Sequence, residues 1–121
     1  MFELKVTTHF AAAHQLEMVA EKCENLHGHN WKIEARIQGE NINDAGVLID
    51  FGEVKEHLSG IIARLDHQFL NELDAFKNQN PSSEIIARYI AEALQTAIGD
   101  QGKVSSITAW ESETACATYS C

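Results

Sequence analysis

The chain has 121 residues, 45% of them hydrophobic and 22% charged, and a formal charge of −9. That length buries an ordinary core without disulfide or metal staples and predicts one domain over residues 1–121. The nine Lys and Arg stand singly along the chain, which argues against a nucleic-acid surface, because such a surface needs clustered cations to displace counterions.

No apolar run approaches the roughly 18 residues of a membrane span. The opening residues Met1 to Lys5 alternate like a strand instead of showing a basic-then-apolar leader, so cytoplasmic residence is expected. Three cysteines, none in a Cys-x-x-Cys pair, fit a reducing compartment better than a disulfide framework.

In chain order, the first segment sets Phe2, Leu4, Val6 and Thr8 against Glu3, Lys5, Thr7 and His9, the period of a half-buried strand. Residues 11–26 are too polar and irregular for another strand. They predict a long excursion with His14 at its start and Cys23 near its end. A second alternating run places Trp31, Ile33, Ala35 and Ile37 inside. His27 and His29 share the parity of Trp31, so a strand beginning there points both imidazoles to one side. The excursion returns beside the first strand and can bring His14 to that pair.

Residues 39–46 read as turn sequence. Asp50 followed by Glu53 predicts a capped helix start, with Val54, Leu58, Ile61, Ile62 and Leu65 on its apolar face and an end near Leu65. Asp66-His67 then falls at or just past the terminus. A second helix begins at Asn80-Pro81-Ser82-Ser83-Glu84, with Pro81 suited to its first turn. Its apolar face is Ile85, Ile86, Tyr89, Ile90, Ala93, Leu94 and Ala97, and Gly99 supplies the stop. Residues 104–111 and 114–121 are both strand-like. Two strands, two helices and two strands make an α+β fold with the helices on one face of an antiparallel sheet.

The chemistry concentrates in His14 and in Cys23-Glu24-Asn25-Leu26-His27-Gly28-His29. Three imidazoles without a fourth protein ligand are the arrangement of a catalytic zinc with an open position. Imidazole suits iron or copper as well, and chance clustering of six histidines is the competing account. Cys23 is useful as a thiolate, which a nearby cation favours, or is simply a buried inert thiol. Asp66-His67 suits a general acid with an orienting carboxylate, or a helix-end cap and turn. Glu111 continues the parity of Ile107 and Ala109, which turns its carboxylate inward and requires a partner there; the other reading is a strand-end glutamate in water. His9 and His57 are expected at the surface, and Cys116 and Cys121 as small apolar residues.

Together these segments resemble the 6-pyruvoyltetrahydropterin synthase family, and within it the bacterial 6-carboxy-5,6,7,8-tetrahydropterin synthases of queuosine biosynthesis. The resemblance is carried by Phe10-Ala11-Ala12-Ala13-His14, Cys23-x-x-x-His27-Gly28-His29, Gly46-Val47-Leu48-Ile49-Asp50-Phe51, Leu65-Asp66-His67-x-x-Leu70-Asn71, Asn80-Pro81-Ser82-Ser83-Glu84, and Trp110-Glu111 leading to Tyr119. It implies the T-fold, a four-stranded antiparallel sheet with two helices on one side. Subunits of that fold assemble around a barrel as a homo-oligomer, a hexamer or a related assembly, with active sites at the interfaces. Carried over residue by residue, His14, His27 and His29 match zinc ligands and Cys23 the catalytic thiol. Asp66 and His67 match the proton relay, and Glu111 the residue that anchors a pterin ring. The implied substrate is 7,8-dihydroneopterin triphosphate, and the implied products are 6-carboxytetrahydropterin, acetaldehyde and triphosphate; the alternatives are the pyruvoyl-forming reaction, in which triphosphate leaves without side-chain cleavage, and a metal- and pterin-binding or structural metal protein without catalysis. Two features depart from the pattern. Glu111 is followed by Ser112 where the family usually has Thr, and Glu24 adds the Glu-x-x-His-Gly-His spacing of members that cleave dihydroneopterin-type substrates toward folate.

Overall fold

The computed structural model describes residues 1–16 and 26–121. Strand β1 (Phe2–His14) runs antiparallel to β2 (His27–Gly39) over its whole length, with Phe2 opposite Gly39 and His14 opposite His27. Helix α1 (Phe51–Ala63) follows, then the two-residue strand β3 (Gln68–Phe69), helix α2 (Ser83–Ile98), and strands β4 (Lys103–Trp110) and β5 (Cys116–Ser120). The sheet order is β3-β1-β2-β4-β5. Four long antiparallel strands and two helices are thus the expected architecture. The structure adds β3, which pairs parallel to β1 at Ala12 and Ala13.

The first strand is longer than its opening alternation predicts. It does not give way to a loop at Ala11 but continues from Phe10 through Ala12 to His14, all three buried and on the face of Val6. The alanines hide this in the sequence, because alanine has little strand propensity. The parity is nonetheless unbroken, and the ladder with β2 supplies the backbone partners that the segment needs. Phe2 lies on the same face but is largely exposed at the sheet's end, and Leu4 is only half-buried.

The core lies between this face and the helices. Trp31, Ile33, Ala35 and Ile37 of β2 and Val104, Ile107 and Ala109 of β4 pack with Val54, Leu58, Ile61 and Ile62 of α1. The buried face of α2 is Ile86, Ala87, Ile90, Ala91, Leu94 and Ile98. Ile85, Tyr89 and Ala93 are its partly buried margin, and Ala97, expected inside, is exposed. The helix is therefore rotated toward its Ala87–Ala91 edge, where small side chains allow close approach to the sheet.

Local signals set the helix ends. The Asp50 carboxylate accepts from Gly52 N–H at 2.7 Å. Glu53 does not close a capping box but accepts from the Gln101 amide at 2.7 Å. Ser82 Oγ accepts from Ile85 N–H at 3.2 Å and caps α2, so Pro81 stands just outside the helix instead of in its first turn. Gly99, at φ 59°, terminates it in a conformation that glycine adopts without steric cost. Among the described residues, no helix is long and apolar enough to cross a membrane. Cys116 and Cys121 are free and exposed, not buried apolar positions: β5 is an edge strand, and Cys116 pairs with Trp110 at its outer end.

Candidate metal centre

The strand register alone brings the three histidines together. Directly opposed residues of an antiparallel pair project to the same face, so His14 and His27 meet across the ladder. His29 lies two residues along on the same face, opposite Ala12, whose methyl leaves room for the ring. A one-residue slip of β1 against β2 would send the two sets to opposite faces. The ring centroids stand 4.6–5.2 Å apart, each pair near perpendicular, and the His14 and His27 Nε2 atoms are 3.1 Å apart.

Glu111 completes the group. β4 pairs Lys32 with Trp110, so continuing the ladder one step carries Glu111 to the level of Trp31, diagonal to His29. Its inward parity is as expected. Oε1 lies 2.7 Å from His29 Nε2, 3.7 Å from His27 Nε2 and 3.8 Å from His14 Nε2. Four ligand atoms, from His14, His27, His29 and Glu111, fall within 4.8 Å of one another.

The donor set fits a metal ion. His14 is fully buried, and its Nδ1–H donates to the Pro81 carbonyl at 2.8 Å, which leaves the Nε2 lone pair aimed into the cluster. His29 Nε2 is buried without a hydrogen-bond partner; Glu111 Oε1 is near but out of hydrogen-bonding alignment. Lone pairs facing one another at these distances are favourable only around a proton or a cation. Two nitrogens bound tetrahedrally at about 2.0–2.1 Å would stand about 3.3 Å apart, close to the observed His14–His27 spacing. Burial pushes the His29 pKa below the ordinary value of 6.5; the Glu111 charge opposes this, and His27 and His14 reinforce it. The neutral, ligating form is therefore favoured.

Trp31 is the floor of the site. Its ring lies 5.2 Å from His14 and 5.5 Å from His29, edge to face, and is stacked 5.9 Å from Phe10 on the core side. Its Nε1–H donates to the Ala12 carbonyl at 3.4 Å.

Asp66 and His67 sit on the other edge of β1. Asp66 Oδ1 accepts from Ala11 N–H at 2.9 Å and Oδ2 stands 3.0 Å from His67 Nδ1. The Ala11 hydrogen bond is the main cause of a carboxyl pKa below its ordinary value, with His67 adding to it. His67 N–H donates to the Ala11 carbonyl at 2.6 Å, which holds the residue at φ 59°. Its side chain is 81% exposed, and with His29 it lines a hollow of about 540 Å³ beside β3. Asp66 thus orients an imidazole that solvent reaches freely. Two residues past β3, the Asn71 side chain accepts from Gln15 N–H at 2.8 Å and donates to Gln15 C=O at 2.7 Å.

Cys23 and Glu24 lie outside the described residues. His9 is exposed and His57 half-buried beside Glu53. Pro81, Trp31 and Asn71 were not expected as site residues. Pro81 acts through a carbonyl that the sequence pattern does not expose. Trp31 reads as ordinary core, and only its sequence proximity to His29 hints at more. Asn71 stands in a quoted motif, but its reciprocal hold on Gln15 depends on a tertiary approach.

An antiparallel sheet with two helices on one face and a histidine-rich cluster at one end defines a T-fold protein. The sequence model of the family described as 6-pyruvoyl tetrahydropterin synthase matches residues 3–121, and the chain belongs to that family. A Synechocystis protein named 6-carboxy-5,6,7,8-tetrahydropterin synthase is 34% identical over 115 residues, covering 91% of this chain and 86% of its own. A Pyrococcus furiosus protein named dihydroneopterin monophosphate aldolase is 32% identical over 102 residues, covering 84% and 82%. Among solved structures, that of Caenorhabditis elegans 6-pyruvoyl tetrahydropterin synthase superposes with a TM-score of 0.89 at 25% identity, over 99% of this chain and 95% of its own.

Proposed function

We propose that this protein is a zinc-dependent carbon–carbon lyase that converts 7,8-dihydroneopterin triphosphate and one water to 6-carboxy-5,6,7,8-tetrahydropterin, acetaldehyde and triphosphate, in the cytoplasm and as a homo-oligomer. The observation that carries the reading is the convergence of His14, His27 and His29 on one point, with a buried His29 Nε2 that makes no hydrogen bond. Zinc held there would polarise side-chain hydroxyls and lower their pKa. Cys23 is the base that removes a proton from the side-chain carbon. His67, oriented by Asp66, exchanges the second proton with solvent, which its exposure allows. Glu111 accepts the paired N–H groups of the pterin ring. The curated relatives named for this reaction support it.

The test is to incubate the zinc-loaded protein with that triphosphate and read products by mass spectrometry. 6-Carboxytetrahydropterin and acetaldehyde are expected; a pyruvoyl product, or no turnover, overturns the reading. Cys23→Ala should keep its metal and lose turnover, and full activity in that variant removes the thiol from the mechanism.

A second reading is cleavage to 6-hydroxymethyl-dihydropterin. It is favoured by the aldolase named among the relatives and by the spacing of Glu24 to the His-Gly-His segment. Glu24→Ala would then abolish that product while sparing the carboxy product.

A further inference from the structure

We infer that Glu111 is a fourth and displaceable ligand of the metal, which closes the site until a pterin draws the carboxylate away. The inference rests on the metal reading above and adds a second task to the residue that was expected only to hold the ring. Oε1 stands 2.7, 3.7 and 3.8 Å from the three Nε2 atoms, so the carboxylate occupies the side of the cluster that three imidazoles leave open. His14 presents a lone pair there because its Nδ1–H is committed to Pro81; with His27 and His29 in the matching tautomer all four groups turn lone pairs to one point, and a shared cation is what makes such an arrangement favourable.

The four donors are not equally fixed. His14 is fully buried and held at Nδ1 by Pro81, and all three histidines stand in the β1–β2 ladder. Glu111 lies one residue past β4, on the turn into β5, where its N–H bonds Ala115 C=O at 3.1 Å. Its side chain is 33% exposed. The carboxylate also borders a pocket of about 590 Å³ lined by His9, Asn30, Lys32 and Trp110, so a rotamer change can withdraw it without moving the ladder.

Ligand exchange then couples two recognition events. A ligand that offers adjacent N–H donors competes for Glu111, and its side-chain hydroxyls take the vacated position. A diol without the ring, or a ring without the diol, satisfies one half and leaves the exchange uphill. Four protein ligands would ordinarily mark a structural metal; displaceability is what separates this site from one.

The experiment uses cobalt(II)-loaded full-length protein, followed by visible absorption and X-ray absorption, with 7,8-dihydroneopterin as the probe. The resting wild type should show three nitrogen donors and one carboxylate oxygen, and the probe should remove the carboxylate signature. Glu111→Ala should keep cobalt, show a different resting spectrum with water in the fourth position, and respond less to the probe. Identical resting spectra for wild type and Glu111→Ala overturn the inference while leaving the tri-imidazole metal site standing. A carboxylate that stays bound in the presence of saturating probe also overturns it, in favour of a structural ion. Failure of the wild type to bind cobalt overturns the metal reading itself.

Discussion

At the scale of the residue, His29 is the most exposed to test. Its pKa lies below 6.5, chiefly through burial. A depressed base is neutral in the folded protein where the unfolded chain already binds a proton. Its contribution is therefore fully present above the unfolded value and is lost as pH falls through the lower folded one. Metal binding follows the same sign, since only the neutral ring ligates. Metal retention measured after equilibrium dialysis should hold at pH 7 and fall progressively below pH about 6.5. His29→Ala should weaken metal binding at every pH; an unchanged affinity in that variant would remove the residue from the ligand set.

Among the elements, the decisive one is the edge of β1 that faces away from β2. From Ala11 to Gln15 it is gripped in sequence by Asp66, His67 N–H, β3 and Asn71. The spacing Asp-His-x-x-Leu-Asn thus has a structural meaning. Side chains at its two ends imitate strand partners where no backbone is available, and the short strand between them supplies real ones. This grip fixes the strand whose last residue is His14. Asn71→Ala removes two exposed hydrogen bonds and should cost about 1–2 kcal/mol, read as a lower melting temperature in thermal unfolding. Asn71→Asp keeps the acceptor and should recover part of the loss. The Asp66 carboxyl lies below its ordinary pKa because it accepts from Ala11. That stabilisation is present above the ordinary value and disappears as acid protonates the group, so Asp66→Asn should flatten the acid limb of a stability-versus-pH curve.

For the whole molecule, the candidate metal centre is the end of the hydrophobic core, and Trp31 belongs to both. Completely buried between Phe10 and the histidine rings, it links packing to site geometry. Trp31→Ala should cost about 3–5 kcal/mol by cavity formation, a large share of the 5–15 kcal/mol typical of a domain. Denaturant unfolding measures that loss, and metal affinity should fall with it because His14 and His29 lose their support. Trp31→Phe should cost less in both measurements.

Much of this was written in the order of the residues. Period-two alternation in β1 and β2, the shared parity of Ile107, Ala109 and Glu111, helical spacing in α1 and α2, and the parity of His27, His29 and Trp31 are local properties, because each follows from which side of a strand or helix a residue occupies. The inward turn of Glu111 was legible in the same way. Tertiary structure decided what depends on partners distant in sequence. It extended β1 through an alanine run of low strand propensity, because the ladder with β2 satisfied that backbone. It rotated α2 so that Ala87 and Ala91, not Ala97, met the sheet. It gave Pro81 a free carbonyl for His14, and it brought the Glu111 oxygen to the three imidazoles. Alternation chooses a face for each strand, whereas the register between strands chooses which residues of those faces touch; only folding sets that register.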